Sequence, residues 1–199
     1  MRWCSNPTSF YQNLAHTRWG LDQLLHTPAF VRSRSAFLFT SILAASALFK
    51  PTTAALSRRL SNHSRCLANT IVMNRHRSPE VVLAFMINIP WMSPGKHWSD
   101  DDTCYYLTAA LTIAVDVSLN KVIYPSPSNS HIASPQVAQS DCITARKALD
   151  LDGFHDVDPS SQLGRRLLRR RERVWLALFV LDRGYGYFPI VTTEMLIII

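Results

Sequence analysis

RRRERVWLALFVLDR, residues Arg169 to Arg183, is the stretch of sequence from which the fold is most readily predicted. Apolar residues recur through it, and through the residues before it, at intervals of three, four or seven, the spacing of one face of an α-helix. These residues are Leu163, Leu167, Val174, Leu178 and Leu181. Six arginines lie between Arg165 and Arg173 on the same segment. The pattern predicts one long amphipathic helix after Ser160.

The arginines of this helix allow two interpretations. Their summed positive field could bind nucleic acid or a nuclear-import receptor. However, apolar residues interleave with them, and Trp175 and Phe179 follow at once. Because an arginine stem covers apolar surface whatever its guanidinium group does, we favour a helix face that is solvated or internally paired.

The segments before this helix are also predicted to be helical. Ala36–Phe49 is apolar all round, as in a central helix, and Pro51 stops it. Residues from Thr53 to about Arg75 mix leucine and arginine at helical spacing, so one face should be exposed. An amino-terminal helix is expected from the spacing of Phe10, Leu14, Leu21, Leu24 and Leu25, and Pro28 ends or interrupts it. Ser78-Pro79-Glu80 should start a helix that continues through Val81–Ile89. Two more helices are expected, one from Ser99–Asp102 to about Asn120 and a short one around Ile143–Leu149.

The predicted fold class is therefore all-α, an irregular bundle of about six or seven helices. In the helix after Asp102, the predicted core stripe consists of Tyr106, Ala110, Ile113, Ala114 and Val117. Proline, serine and asparagine between Tyr124 and Gln139 predict a mobile loop near 122–140. Strand signals are confined to Phe188–Thr192 and the terminal isoleucines. We expect a basic segment with one helix at 1–29, a partial domain at 30–186 and a divergent apolar tail at 187–199.

Composition excludes a wholly disordered chain. Of 199 residues, 47% are hydrophobic and 18% are charged, which is typical of a single globular domain with its own core. The formal net charge is +7, from 21 basic and 14 acidic residues, and it is unevenly distributed. Met1–Pro79 contains the single acid Asp22, so the front of the chain is basic.

No motif for catalysis or for a cofactor is evident. The four cysteines, Cys4, Cys66, Cys104 and Cys142, form no C-x-x-C pair, and we interpret them as reduced thiols. Asp100-Asp101-Asp102 with His97 could bind a metal ion, but a helix start explains the carboxylates better. A hydrolase site assembled from Asp102, His97 and Ser99 is the least favoured alternative. We expect no enzyme activity and no cofactor in this chain.

Membrane insertion and secretion are not expected either. The uncharged run Ala36–Phe49 is 14 residues long, and about 20 are needed to cross the hydrocarbon core of a bilayer. The amino end has no arrangement typical of a secretory signal, so an intracellular protein is expected.

Several of these segments, taken in order, resemble a known family. Arg169–Arg183 is similar to the arginine-rich helix with tryptophan and a final Asp-Arg of the fungal-specific transcription factor regulatory domain, the middle homology region. Ala109–Lys121 resembles that family's Ala-x-Asp-x-x-Leu helix, and Ser78–Trp91 its Ser-x-Glu helix with a following tryptophan. Ala36–Phe49 is similar to its early alanine-rich core helix.

The resemblance implies an all-helical regulatory domain of a nuclear protein in RNA polymerase II transcription. Its partners would be proteins of the transcription machinery or a homo- or heterodimer partner. No association with a membrane is expected. The family usually carries zinc in an amino-terminal six-cysteine cluster that binds DNA; that cluster is missing here, so we expect a truncated chain that does not bind specific DNA by itself. The family-motif residues, with a structural or interaction role, are Arg169, Arg170, Arg171, Arg173, Trp175, Asp182 and Arg183.

A mitochondrial helical protein is the alternative. Arg2, Arg18, Arg32 and Arg34 lie among serine and threonine, with almost no acid nearby. This composition is typical of a targeting segment for the mitochondrion. Nuclear localisation is the first expectation, and the mitochondrion is the second.

Overall fold

The computed structural model describes residues 20–49, 51–91, 101–124 and 139–186, and within them the fold is all-α. Seven α-helices lie in these ranges: α1 Pro28–Arg34, α2 Ala36–Leu48, α3 Ala54–Met73, α4 Pro79–Asn88, α5 Thr103–Asp116, α6 Ala145–Leu151 and α7 Gln162–Gly186. Two short strands, β1 Val122–Tyr124 and β2 Cys142–Thr144, pair in parallel with Val122 opposite Cys142. The multi-helix prediction is therefore confirmed.

Hydroxyl side chains cap several helix starts. Ser35 Oγ accepts a hydrogen bond from the Leu38 amide over 3.1 Å at the start of α2. Ser78 Oγ accepts from the Val81 amide over 3.3 Å at the start of α4. Each bond satisfies an amide that has no partner within its helix, which confirms the predicted start at Ser78.

The prediction for the first helix is wrong where the structure describes it. Leu24 and Leu25 lie in a turn, Leu21 lies outside any helix, and Pro28 begins α1 instead of ending a helix. Thr27 Oγ1 accepts from the Phe30 amide over 3.3 Å, and proline is favourable in a first helical turn. The earlier part of that prediction lies outside the described residues.

Helix α4 forms the centre of the core. Every side chain from Val81 to Ile87 is at most 4% exposed, because α4 contacts α2, α5 and α7. The Phe85 ring packs edge-on against Phe37 and Tyr106, with centroids 4.9 and 5.2 Å apart. The predicted core stripe of α5 is buried throughout. Val174, Leu178 and Leu181 of α7 belong to the same hydrophobic core.

Two predictions at the edges of the bundle need correction. Leu163 is 46% exposed, so the apolar face of α7 begins at Leu167. Strands occur at Val122 and Cys142, where none was predicted, because their backbones pair with each other across 20 residues of sequence. The expected loop, apart from its ends, and the strand signals after Phe188 lie outside the described residues. No helix in the described ranges is long and apolar enough to cross a membrane.

Gly164 allows the start of α7 to pack closely against the turn before it. A Cβ atom built at Gly164 would lie 2.2 Å from the carbonyl oxygen of Asp158 and 2.9 Å from the Cα of Pro159. Both are backbone atoms, which cannot move aside cheaply. We expect Gly164→Ala to lower the free energy of unfolding by about 1 to 3 kcal/mol, as overpacking typically does, measured by urea denaturation.

Gly184 provides the matched control in the same helix. A Cβ atom there meets nothing within 4 Å, so Gly184→Ala should raise stability by roughly 0.5 to 1 kcal/mol through helix propensity. Equal effects of the two substitutions would contradict the close packing at Gly164.

Candidate functional site: a buried arginine–carboxylate cluster

The arginines of α7 separate into exposed and buried groups. Arg165, Arg169 and Arg173 are exposed, whereas Arg170 is 0% and Arg171 is 1% exposed. The two buried arginines lie on the side of α7 that faces α4, α5 and α6. A buried guanidinium group requires ionic or hydrogen-bonding partners. Glu80 and Asp152, both buried, provide them, and we call these four residues the arginine–carboxylate cluster.

Arg170 connects two carboxylates from different helices. One terminal nitrogen donates to Glu80 Oε1 in the first turn of α4, and the other donates to Asp152 Oδ2 just after α6. The sequence separations are 90 and 18 residues. This one side chain therefore links α7 to both α4 and α6 through charge-assisted bonds, which are stronger than neutral ones.

Arg171 connects α6 with the end of α5. It donates to Asp152 Oδ1 and to the Ala148 carbonyl oxygen, the latter over 3.4 Å. Its other terminal nitrogen donates to the carbonyl oxygens of Val117 and Ser118, which lie just after α5. Carbonyl groups at a helix carboxyl end lack partners within the helix and carry its negative dipole charge, so a buried cation is well placed there.

An aromatic ring and a third arginine cover Asp152. Arg34 of α1 donates to the Asp152 backbone carbonyl oxygen. The Arg34 guanidinium carbon lies 4.4 Å from the centroid of the Phe154 ring, and that of Arg170 lies 5.6 Å from it. Cation–π attraction operates over such distances. The short turn after α6 is thereby attached to both α1 and α7.

Burial dominates the electrostatics of the cluster. It raises the pKa of the Asp152 carboxyl group, although Arg170 and Arg171 act in the opposite direction. Burial also lowers the pKa of Arg171, with Asp152 opposing that change. Two guanidinium groups and two carboxylates balance in charge when all are ionised. Balanced charge is the condition under which burying ions is tolerable.

His26 lies beside the cluster and is 3% exposed. Its Nδ1 atom accepts a hydrogen bond from the Asp22 amide over 2.9 Å. Burial, and then the positive charge of Arg170, lower the pKa of His26 to about 4. The imidazole is therefore neutral at physiological pH and adds no charge to the balanced cluster.

The cluster is not fully satisfied by hydrogen bonds. Among the described residues, Glu80 Oε2 and the Nε atoms of Arg170 and Arg171 are buried without a partner. Each such group costs roughly 1 to 3 kcal/mol. The cluster is enclosed as well as charged, so substrate could reach it only if helices separated. Its geometry is suited to linking helices.

The predicted family-motif residues divide between core and surface. Arg170 and Arg171 form half of the cluster, whereas Arg169 and Arg173 are exposed. Trp175 is half-buried and packs against the main core. Asp182 is also half-buried, and the Arg183 guanidinium carbon lies 5.1 Å from the Phe179 ring centroid.

Sequence reasoning missed both acidic partners. The sequence pattern places Glu80 in a helix start, and it does not single out Asp152. A signal was available in α7, where Arg170 and Arg171 both lie within roughly 60° of the core positions Leu167 and Val174 on a helical projection. An arginine on an apolar face requires a buried acid, but the pattern does not say which one.

The other predicted sites are only partly within the described residues. The Asp101 carboxylate accepts from the Thr103 amide over 2.9 Å at the start of α5, consistent with the helix-start interpretation. Asp102 is half-buried and lies 3.6 Å from Arg65. His97, Ser99 and Asp100 lie outside the described residues. In the described part of the chain, no group of three or more His, Cys, Asp or Glu residues could hold a metal ion, and Cys66 and Cys104 are free thiols.

Comparison with protein-family models, with curated proteins and with solved structures finds no match to this chain.

Proposed function

We propose that this chain is a regulatory and interaction domain of a fungal transcription regulator, acting in RNA polymerase II transcription through protein contacts. The observation that carries the proposal is the convergence of three motif segments on one cluster. Arg170 and Arg171 come from the segment Arg169–Arg183, and Glu80 comes from Ser78–Trp91. The Val117 and Ser118 carbonyl groups come from Ala109–Lys121.

Convergence supports the resemblance because the segments were selected without reference to their contacts. Motifs that are similar to one family by chance have no reason to share a buried ion-pair cluster. The enclosed character of that cluster favours a role in scaffolding over one in catalysis. Under this proposal the chain acts in the nucleus, needs no cofactor of its own and binds no specific DNA sequence alone.

A reporter assay in yeast tests the proposal. The full chain is fused to an unrelated DNA-binding domain upstream of a reporter gene, and a fluorescent tag reports its location. We expect nuclear accumulation and a clear change in reporter expression. Asp152→Asn, which breaks the cluster, should abolish that change.

Asp156→Asn is the matched control, since Asp156 is exposed and lies four residues away. It should leave the reporter response intact. Import into the mitochondrial matrix would favour the alternative function and contradict the proposal. Tight, sequence-specific DNA binding by the purified chain in a gel-shift experiment would contradict the proposed absence of a DNA reader.

A further inference from the structure

The exposed side of α7 borders a concave, positively charged surface. Arg165, Arg166, Arg169 and Arg173 line a cleft of about 500 Å³, with Asp22 and Leu24 opposite them. We call these four arginines the arginine face. Four guanidinium groups against one carboxylate give the cleft a formal charge of +3. The arginine face is separate from the buried cluster, because it points away from the core.

The described residues neutralise only part of this charge. Asp22 Oδ2 lies 3.7 Å from Arg166 and 3.5 Å from Arg173. The guanidinium groups of Arg165 and Arg169 make no hydrogen bond or ion pair with any described residue. Both side chains are exposed. As far as the described residues go, the cations of Arg165 and Arg169 are thus available to an external anion.

Apolar surface lies on both sides of these two arginines. Leu24, at 71% exposed, forms part of the charged cleft. On the other side, Arg165 and Arg169 border a second groove of about 460 Å³, whose apolar lining includes Ile123 and Leu168 and whose acid is Glu172. A ligand that crossed the arginine face would therefore contact Leu24 first, then Arg165 and Arg169, and then the apolar groove at Leu168.

The dimensions suit a short peptide. Arg165 and Arg173 are eight positions apart, which is about 12 Å along a helix. About four residues of extended peptide cover that distance, and a few more would reach both apolar surfaces. In an extended segment successive side chains point to opposite sides, so acidic and apolar side chains can alternate.

We propose that the arginine face binds an acidic peptide segment with interspersed large apolar residues. Its carboxylates pair with Arg165 and Arg169, where bidentate geometry is favourable, and its apolar side chains cover Leu24 and the groove at Leu168. Nucleic acid fits less well: Asp22 and Glu172 would repel phosphate, and the described residues lining the two concavities include no aromatic ring on which bases could stack. Peptide binding here does not depend on a role in transcription.

Fluorescence anisotropy with the purified full chain tests this proposal. The probe is a fluorescein-labelled peptide of about ten residues that alternates Asp or Glu with Leu and Phe. We expect saturable binding at about 0.1 M salt, where exposed charges more than about 10 Å apart are largely screened. Arg165→Glu with Arg169→Glu should weaken binding at least about tenfold.

The matched control carries the same charge change on another helix. Arg58 and Arg59 of α3 are both exposed. The double variant Arg58→Glu with Arg59→Glu should alter the affinity for the peptide by less than about twofold. Circular dichroism and thermal unfolding should be unchanged in both double variants, because none of the four side chains is buried. Changing the peptide's Leu and Phe to Ser should also weaken binding at least about tenfold.

Four results would overturn the proposal. They are absence of binding by the native chain, equal weakening in the two double variants, full affinity for the serine-containing peptide, and tighter binding of duplex DNA than of the peptide at the arginine face. If the native chain binds the peptide but gives no reporter response, that result would count against the proposed function and not against the peptide site.

Discussion

Asp152→Asn is expected to lower the free energy of unfolding by about 3 to 5 kcal/mol, the usual cost of removing one partner from a buried ion pair. Asp152 faces both Arg170 and Arg171, so the neutral amide leaves the remaining charges unbalanced. The side chain is fully buried, so solvent does not screen the loss. Urea denaturation followed by circular dichroism measures the change.

The same substitution at an exposed site separates the loss of the buried ion pairs from the effect of changing an aspartate to an asparagine as such. Asp156→Asn should change stability by less than about 0.5 kcal/mol, as surface substitutions usually do. A loss below about 1 kcal/mol for Asp152→Asn would show that the cluster does not stabilise the fold. If Asp152→Asn fails to fold at all, a double-variant experiment on the other carboxylate provides the measurement.

The double variant concerns Glu80 and Arg170. Glu80→Met leaves the buried cluster with one excess positive charge, and Arg170→Met leaves Glu80 without its ion-pair partner. The pair changed together leaves Asp152 with Arg171 and no excess charge. The Glu80→Met/Arg170→Met variant should therefore lose at least about 1 kcal/mol less than the sum of the single variants. Simple additivity would mean that the two side chains do not interact.

Acid is expected to destabilise the native chain through His26. Burial and Arg170 lower the pKa of His26 from 6.5 to about 4 in the folded protein, so between these values the unfolded chain binds more protons than the folded one. The resulting stability is fully present above pH 6.5 and is lost as the pH falls towards 4. The loss amounts to roughly 3 kcal/mol at 1.36 kcal/mol per pKa unit.

A variant comparison isolates this contribution from other titrating groups. Asp152 acts in the opposite sense, because its raised pKa makes the folded state bind a proton more readily than the unfolded state. His26→Gln retains an acceptor for the Asp22 amide and cannot become a cation. The stability difference between native protein and His26→Gln should therefore shift by roughly 3 kcal/mol against the native protein between about pH 7 and pH 4.

His155 supplies the control for the pH experiment. Its side chain is 70% exposed, so His155→Gln makes the same substitution at the surface, and the loss of roughly 3 kcal/mol assigned to His26 should persist in that variant. A difference between native and His26→Gln proteins that stays constant with pH would contradict the neutral, buried state of His26.

The helices themselves were readily predicted from local patterns. Helix α7 follows from apolar spacing, and the start of α4 follows from Ser78-Pro79-Glu80. Both signals operate within a few residues, because capping and helical periodicity depend on neighbours along the chain. The segment Leu21–Leu25 shows the limit of such reasoning. Its leucines have helical spacing, but the helix begins only at Pro28, after the capping residue Thr27.

The sequence by itself determined that the chain is helical, where most helices begin, and which face of α5 and α7 enters the core. Only the tertiary structure decided that Glu80 and Asp152 receive Arg170 and Arg171, and that Arg165 and Arg169 remain exposed. The physical reason is range. Periodicity and capping are local, whereas the partner of a buried charge is whatever acid the packed helices bring to it, here from 90 residues away along the chain.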